Sequence, residues 1–230
     1  MSSAVTTVLF DLDETLCDYV RSSAELLDAA FEAAGVDPLF DVARYHEIAE
    51  RYRDDAEAKA ERRARCFADL AERAGRDRSI GRDVASVYAD LRDHGNVSAY
   101  EGVGETLTDL GETHALGVVT NGEPAMQDPK LDAIDIRERF DTVVYAGIDT
   151  PAKPATAPFE RALADLDATP AEAVFVGNSI ETDITGANRA GLTSVWIPLD
   201  RDAGASPETD RERPDHRVDD VTALRERPWE

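Results

Sequence analysis

Lysine is nearly missing from this chain: its 230 residues hold three, Lys59, Lys130 and Lys153, and the rest of the positive charge is arginine. Against 25 basic residues stand 48 acidic ones, a formal net charge of -23. Such a surface repels polyanions, so neither nucleic acid nor an anionic membrane is expected as a partner unless a basic patch overcomes the field. The densest patch, Arg62-Arg63-Ala64-Arg65, is short, is flanked by Glu57, Glu61 and Asp69, and reads as a solvated helix face. Cysteine is as scarce. Cys17 and Cys66 are far apart, which excludes a disulfide framework and a cysteine-based zinc site and fits a reducing cytoplasm. No apolar run approaches membrane-spanning length, and no basic segment leads into a long apolar stretch at the start, so a soluble, intracellular protein is expected.

What the chain does have is acid. The acid-rich, lysine-poor balance resembles that of proteins from salt-loving microbes, where high ionic strength screens self-repulsion. The most informative acids follow the run Val5-Thr6-Thr7-Val8-Leu9-Phe10, which leads directly into Asp11-Leu12-Asp13-Glu14-Thr15. Val8 and Phe10 point one way and Leu9 the other, so the run reads as a strand covered on both faces, as a parallel sheet requires. Two carboxylates at its tip stand where α/β proteins keep their chemistry. Held against a phosphoryl group, one carboxylate can form an acyl phosphate while the second shuttles the proton. The alternative is a turn in which Asp-x-Asp-x-Thr caps the next helix.

From Tyr19 to about Asp93 the pattern is Ala, Glu, Arg and Leu with apolar residues recurring at three and four, and no convincing strand. The spacing predicts helices from Val20 to Ala34, Val42 to Asp54, Ala56 to Ala74 and Ile80 to Asp93, broken at Gly35, Gly75 and Gly95. After Tyr100 helix and strand alternate. Helices are expected from Val103 to Leu110, Pro124 to Ile134, Ala157 to Leu166 and Thr182 to Ala190. Strands are expected from Leu116 to Thr120, Thr142 to Ala146, Ala173 to Val176 and Ser194 to Pro198. Such βαβ units give a parallel sheet with right-handed crossovers. Thr169-Pro170 signals a short helical turn, 201–213 an exposed loop, and Val218 a short edge strand before a turn near Leu224. The expected organisation is an α/β core from 1–16 and 97–230 with a helical insertion over 17–96, whose two ends return to the sheet's carboxyl edge. The insertion is therefore expected to act as a lid.

Three later strands also end in polar residues. Thr120-Asn121-Gly122 offers a hydroxyl and backbone N–H groups for phosphoryl oxygens, or simply a strand-to-helix turn. Lys153-Pro154 places a compact cation before a helix, where it could neutralise phosphate charge or lie on the surface. Gly177-Asn178-Ser179-Ile180-Glu181-Thr182-Asp183 brings oxygens that, beside the Asp pair, would suit Mg²⁺ better than zinc, or cap a helix.

Together, in this order and with a helical insertion between the first and second, these motifs resemble those of the haloacid dehalogenase-like hydrolase superfamily, in its phosphatase branch. The resemblance covers essentially the whole chain. It implies a Rossmann-like, doubly wound parallel sheet with an inserted α-helical cap, and a phosphomonoesterase acting on a small phosphorylated metabolite. Asp11 would be the nucleophile and Asp13 the acid and base. Thr120, Asn121, Gly122 and Lys153 would bind the phosphoryl group, and Mg²⁺ would be held by Asp11, the Asp13 backbone, Asn178 and Asp183. Asn178 departs from the pattern, since phosphatases of the family usually carry Asp there. Rival readings are a 2-haloacid dehalogenase, a phosphomutase, and a phosphate-binding or regulatory protein with impaired catalysis; Asp13 argues against the dehalogenase, because a halide leaving group needs no proton. Cys17, Tyr19, Tyr45, His46 and Arg53 are candidates for the substrate cleft, while His94, His114 and His216 have no evident partners. Oligomeric state is not legible in the chain.

Overall fold

The computed structural model describes residues 4–52, 59–199, 207 and 209–230. Arg53, the expected helix segments at Asp54 and from Ala56 to Ala58, and most of the loop between 200 and 208 lie outside the described residues. The first strand, β1 (Thr7–Phe10), is buried along its whole length. It ends in a tight loop in which Leu16 and Cys17 donate backbone N–H groups to Leu12 O at 3.0 and 3.3 Å, and Glu14 takes a left-handed φ of 59°. That loop runs into β2 (Cys17–Tyr19), which the helical composition of the following segment conceals. Its partner is β3 (Val97–Ala99), antiparallel to it, with Cys17 opposite Ala99 and Tyr19 opposite Val97. Three-residue strands are too short to show a period of two in sequence.

The chain forms two compact units, residues 1–19 with 94–230 and residues 20–93. The second begins and ends three residues inside the 17–96 expected from sequence, because the β2–β3 ribbon groups with the sheet. It comprises α1 (Ser23–Ala33), α2 (Val42–Glu50), α3 (Lys59–Arg73) and α4 (Arg78–Leu91). α1 starts three residues later than its periodicity suggests, because Ser22 and Glu25 form a reciprocal capping box that fixes its first turn. Its core is aromatic: Phe67 meets Phe40, Tyr45 and Tyr88 edge-on at 5.0, 5.0 and 5.6 Å. Tyr45, a candidate cleft residue, lies half-buried against this core, and burial raises its hydroxyl pKa. Arg63 and Arg65, read as solvated, lie half-buried over the rings of Tyr88 and Tyr52 at 5.1 and 4.6 Å; a guanidinium stacks on an aromatic face at little desolvation cost.

In the first unit, β1 pairs in parallel with β4 (Ala115–Thr120) on one side and β6 (Ala173–Gly177) on the other. β5 (Thr142–Tyr145), β7 (Thr193–Trp196) and β8 (His216–Arg217) complete a six-stranded sheet in the order β5-β4-β1-β6-β7-β8, all neighbours parallel. β8 forms one edge of the sheet and ends at Arg217, just before the Val218 expected from sequence. As the alternation in β1 requires, Val8 and Phe10 join one apolar layer, with Leu107 and Leu110 of α5 (Val103–Gly111) and Leu131 of α6 (Pro124–Ala133). Leu9 joins the other, with Phe159 and Leu163 of α7 (Ala157–Asp165) and Ala187 of α8 (Thr185–Ala190). Helices on both faces make this a doubly wound α/β sheet with β1 at its centre.

Two histidines without evident partners in sequence acquire them here. His114 is buried, with Nδ1 3.1 Å from Leu110 O and 2.8 Å from Thr113 Oγ1. His94 Nδ1 lies 2.6 Å from the Tyr19 hydroxyl, tying β2 to the chain that leads into β3. Within the helical unit, a Cβ on Gly81 of α4 would fall 2.2 Å from Phe67 O and 2.7 Å from Ala68 Cα of α3. The two helices touch through backbone at that point, so Gly81→Ala should destabilise the protein by about 1–3 kcal/mol, read as a lower urea midpoint.

Candidate active site

Asp11 continues β1 by one residue, its N–H donating to Val176 O at 2.9 Å, and this aims its carboxylate off the carboxyl end of the sheet. There it meets Lys153, on the loop before α7. The ammonium donates to Asp11 Oδ1 at 2.7 Å and Val119 O at 2.8 Å, and lies 2.8 Å from Asp183 Oδ1. Its three protons are thereby spoken for. All three side chains are buried. Burial pulls the Lys153 pKa down, but the two carboxylates outweigh it and the net shift is upward. Burial pushes Asp11 from the ordinary 3.8 up to about 7, with Asp183 adding to the rise and Lys153 opposing it. The two shifts differ in cause, burial first for Asp11 and the two carboxylates for Lys153, but in both one ammonium serves two buried carboxylates.

Asp183 reaches this position through a π-helical turn, Ile180–Ile184, which replaces the expected start of the last helix at Thr182. The wide turn carries the Asp183 carboxylate back beneath the strand end, where Oδ2 accepts from Ser179 N–H at 3.0 Å. Gly177 makes room for it, since a Cβ there would lie 2.6 Å from Asp183 Oδ2. Asn178 is held by its carbonyl, which accepts from Trp196 Nε1 at 2.8 Å. Its Oδ1 accepts from Thr15 Oγ1 at 3.2 Å, and Asp11 Oδ2 lies 3.4 Å from the same hydroxyl, so the two oxygens face one spot.

Among the described residues no three His, Cys, Asp or Glu side chains gather into a ready-made metal cluster. The donors that do converge are hard oxygens: two carboxylates, the Asn178 amide and backbone. Magnesium takes one or two carboxylates and keeps several waters, and a charge-deficient carboxylate cluster is what such an ion would neutralise. The residues fit it. The cavity of about 640 Å³ beside Glu14 and Thr15, by contrast, is lined by Glu101, Asp219 and Asp220 and is unsuited to a phosphate.

On the other flank, Thr120 at the tip of β4 is buried, and Asn121 follows it. The Asn121 side chain brackets the backbone of Lys153, accepting from its N–H at 2.8 Å and donating to its C=O at 3.1 Å. It thus fastens the lysine loop, leaving to its backbone the ligand contact expected from sequence. Asp13, Gln127 and Lys130 also meet here. Gln127 Nε2 donates to Asp13 Oδ2 at 2.9 Å and to Thr120 Oγ1 at 2.6 Å, and the Lys130 ammonium pairs with Asp13 Oδ1. Neither α6 residue was assigned a role from sequence. The available signal was polar side chains three apart on a helix face shared with Leu131. Cys17 is buried, and burial together with Asp13 pushes its thiol up to about 12, so it is an inert core residue and not a cleft group.

The Asp11 shift has a stability consequence. The folded chain keeps a proton, up to about pH 7, that the unfolded chain loses near 3.8, so this group's contribution to stability falls as pH rises across that window. Asp11→Asn should remove that slope and, in metal-free buffer at pH 7–8, raise stability by on the order of 1 kcal/mol, or about 2–4 °C in Tm.

The comparisons agree with this fold. A family model described as haloacid dehalogenase-like hydrolase matches residues 5–191. The ribulose-1,5-bisphosphate 5-phosphatase of Halopiger xanaduensis is 30% identical over 239 residues, spanning 95% of this chain and 97% of that protein. The solved structure of the HAD-hydrolase YfnB from Bacillus subtilis, bound to magnesium, has a TM-score of 0.77 at 21% identity, over 96% of this chain and 97% of its own; that likeness concerns the fold. A 2-haloacid dehalogenase from Pseudomonas syringae has a TM-score of 0.66 at 26% identity, over 98% and 100% of the two chains. With its catalytic-edge carboxylates on a doubly wound sheet and a family match over most of its length, the chain belongs to the haloacid dehalogenase-like hydrolases.

Proposed function

We propose that the protein is a Mg²⁺-dependent phosphatase that hydrolyses a small phosphomonoester through an aspartyl phosphate on Asp11. The observation that carries this reading is the pair Asp11 and Asp13. The first is buried and held by Lys153; the second is two residues on, with its side chain 42% exposed and thus open to a leaving group or a water. The sequence similarity to a sugar-bisphosphate phosphatase supports the same substrate class.

In the first half-reaction a carboxylate oxygen of Asp11 forms a bond to phosphorus as the ester P–O bond breaks, and protonated Asp13 gives its proton to the leaving alkoxide. In the second, water attacks phosphorus, the Asp13 carboxylate takes its proton, and the bond to Asp11 breaks to release phosphate. Lys153 opposes the protonation of Asp11 that burial favours and orients its carboxylate for attack. Thr120 Oγ1 accepts from Gln127, which frees the hydroxyl proton to donate to a phosphoryl oxygen. Asp11, Asn178, Asp183 and the Asp13 carbonyl would hold the magnesium, whose charge offsets the repulsion between these carboxylates and a phosphate dianion.

A dehalogenase is disfavoured by Asp13, which has no task when the leaving group is a halide. Metal-dependent hydrolysis of 4-nitrophenyl phosphate should disappear in Asp11→Asn, and no chloride should be released from 2-chloropropionate with or without chelator. Chloride release that survives chelation would overturn the phosphatase reading. Asn178 brings no charge to the ion, so Asn178→Asp should lower the Mg²⁺ concentration for half-maximal activity by on the order of tenfold. An unchanged requirement would show that Asn178 is not part of the ion's site.

A further inference from the structure

Lys130 is the second buried lysine of the first unit, and the mechanism above has no use for it. Its side chain is 2% exposed, its ammonium pairs with Asp13, and the Tyr19 ring lies 4.8 Å from Nζ on another side. One turn earlier on the same face of α6, Gln127 is equally buried and donates from a single amide nitrogen to both Asp13 and Thr120. That orientation has a cost, because Gln127 Oε1 is left buried with no hydrogen-bond partner. The opposite amide orientation would instead point an acceptor at the Asp13 carboxylate. Gly122 is shaped for the arrangement, since a Cβ there would fall 2.5 Å from Gln127 Nε2.

Building on the phosphatase reading, we propose that Gln127 and Lys130 are positioning residues that grip the two oxygens of Asp13 from beneath and, through Thr120, align the proton donor to the phosphoryl group. A half-exposed aspartate without such contacts would sample several rotamers. Acid and base catalysis need the carboxyl within about 2.6–3.2 Å of the atom it serves, in both half-reactions. Two donors three residues apart on one helix face remove that freedom while leaving the outer face of the carboxyl open. Lys130 is further confined by Tyr19, whose hydroxyl is itself 2.6 Å from His94 Nδ1.

The test uses the full chain with Mg²⁺, 4-nitrophenyl phosphate and phenyl phosphate, and the variants Lys130→Met, Lys130→Gln and Gln127→Met, with Asp11→Asn as control. Nitrophenolate leaves with little help, so a misaligned Asp13 should still allow Asp11 to be phosphorylated but slow its hydrolysis. The Met variants should then show a rapid burst approaching one nitrophenolate per active site, a steady-state kcat lower by on the order of tenfold or more, and little change in KM. Phenoxide is more basic and needs the proton, so kcat/KM for phenyl phosphate should fall about tenfold further than for the nitrophenyl ester. Lys130→Gln, which keeps a donor, should recover part of the loss. Equal losses on both esters without a burst in folded variants, or unchanged kinetics, would overturn the proposal. If Lys130→Met does not fold, Gln127→Met and Lys130→Gln decide the outcome by the same criteria. A wild-type protein without metal-dependent hydrolysis would instead overturn the phosphatase reading, and this inference with it.

Discussion

The site depends on one ammonium. Lys153 Nζ joins the loop before α7 to Asp11 at the tip of β1, to Asp183 in the turn after β6, and to the backbone of β4 at Val119. Three strand ends and a loop are thereby held at one point beneath the sheet's carboxyl edge. That point carries two carboxylates and one cation, and the raised Asp11 pKa reflects first its burial and then the neighbouring Asp183, which Lys153 only partly offsets. Perturbed titrating groups gather at functional sites, and a cluster of this kind suits a ligand of complementary charge. The Lys153 cluster is thus the structural pin of the site, and in the proposed reaction its carboxylates are the charges a magnesium ion would complete.

A second lysine works by a different principle. Lys130 pairs with the one exposed carboxylate of the group, Asp13, and shares that task with a neutral donor, Gln127. Lys153 serves two carboxylates, whereas Lys130 pairs with the single carboxylate of Asp13 and lies over the Tyr19 ring. The proposed mechanism divides labour between two acids only two residues apart: Asp11, held within the protein, would be the nucleophile, and Asp13, tethered at the surface, would carry the proton. Environment, not residue type, separates their roles.

Small features of the backbone make this possible. Gly177 and Gly122 each stand where a Cβ would collide with a side chain of the site, Asp183 in one case and Gln127 in the other. The π-helical turn at Ile180–Ile184 does for Asp183 what an ordinary helix start would not, turning its carboxylate back under the sheet. Asn121 gives its side chain to the backbone of Lys153 and so couples the two loops that would face a phosphate.

The sequence alone determined the parts of this protein that are written locally. The alternation around Val8, Leu9 and Phe10 declared a strand buried on both faces. The change from period two to period 3.6 after Tyr19 declared a helical insertion, and polar residues after apolar runs marked Asp11, Thr120 and Asn178 as strand-tip groups, with Lys153 on the loop before a helix. Periodicity reports which face of an element is covered, but not what covers it. The tertiary structure therefore decided every pairing between distant residues: Lys130 with Asp13 across 117 positions, Gln127 with Asp13 across 114, and Asn121 with the Lys153 backbone across 32. It also decided the β2–β3 ribbon, whose strands are too short for any pattern, and the histidine contacts that seemed partnerless in the chain. The physical reason is the same throughout: a polar side chain buried in the interior finds its partner through the rotation and register of whole elements, and those are set only when the sheet and its helices have packed.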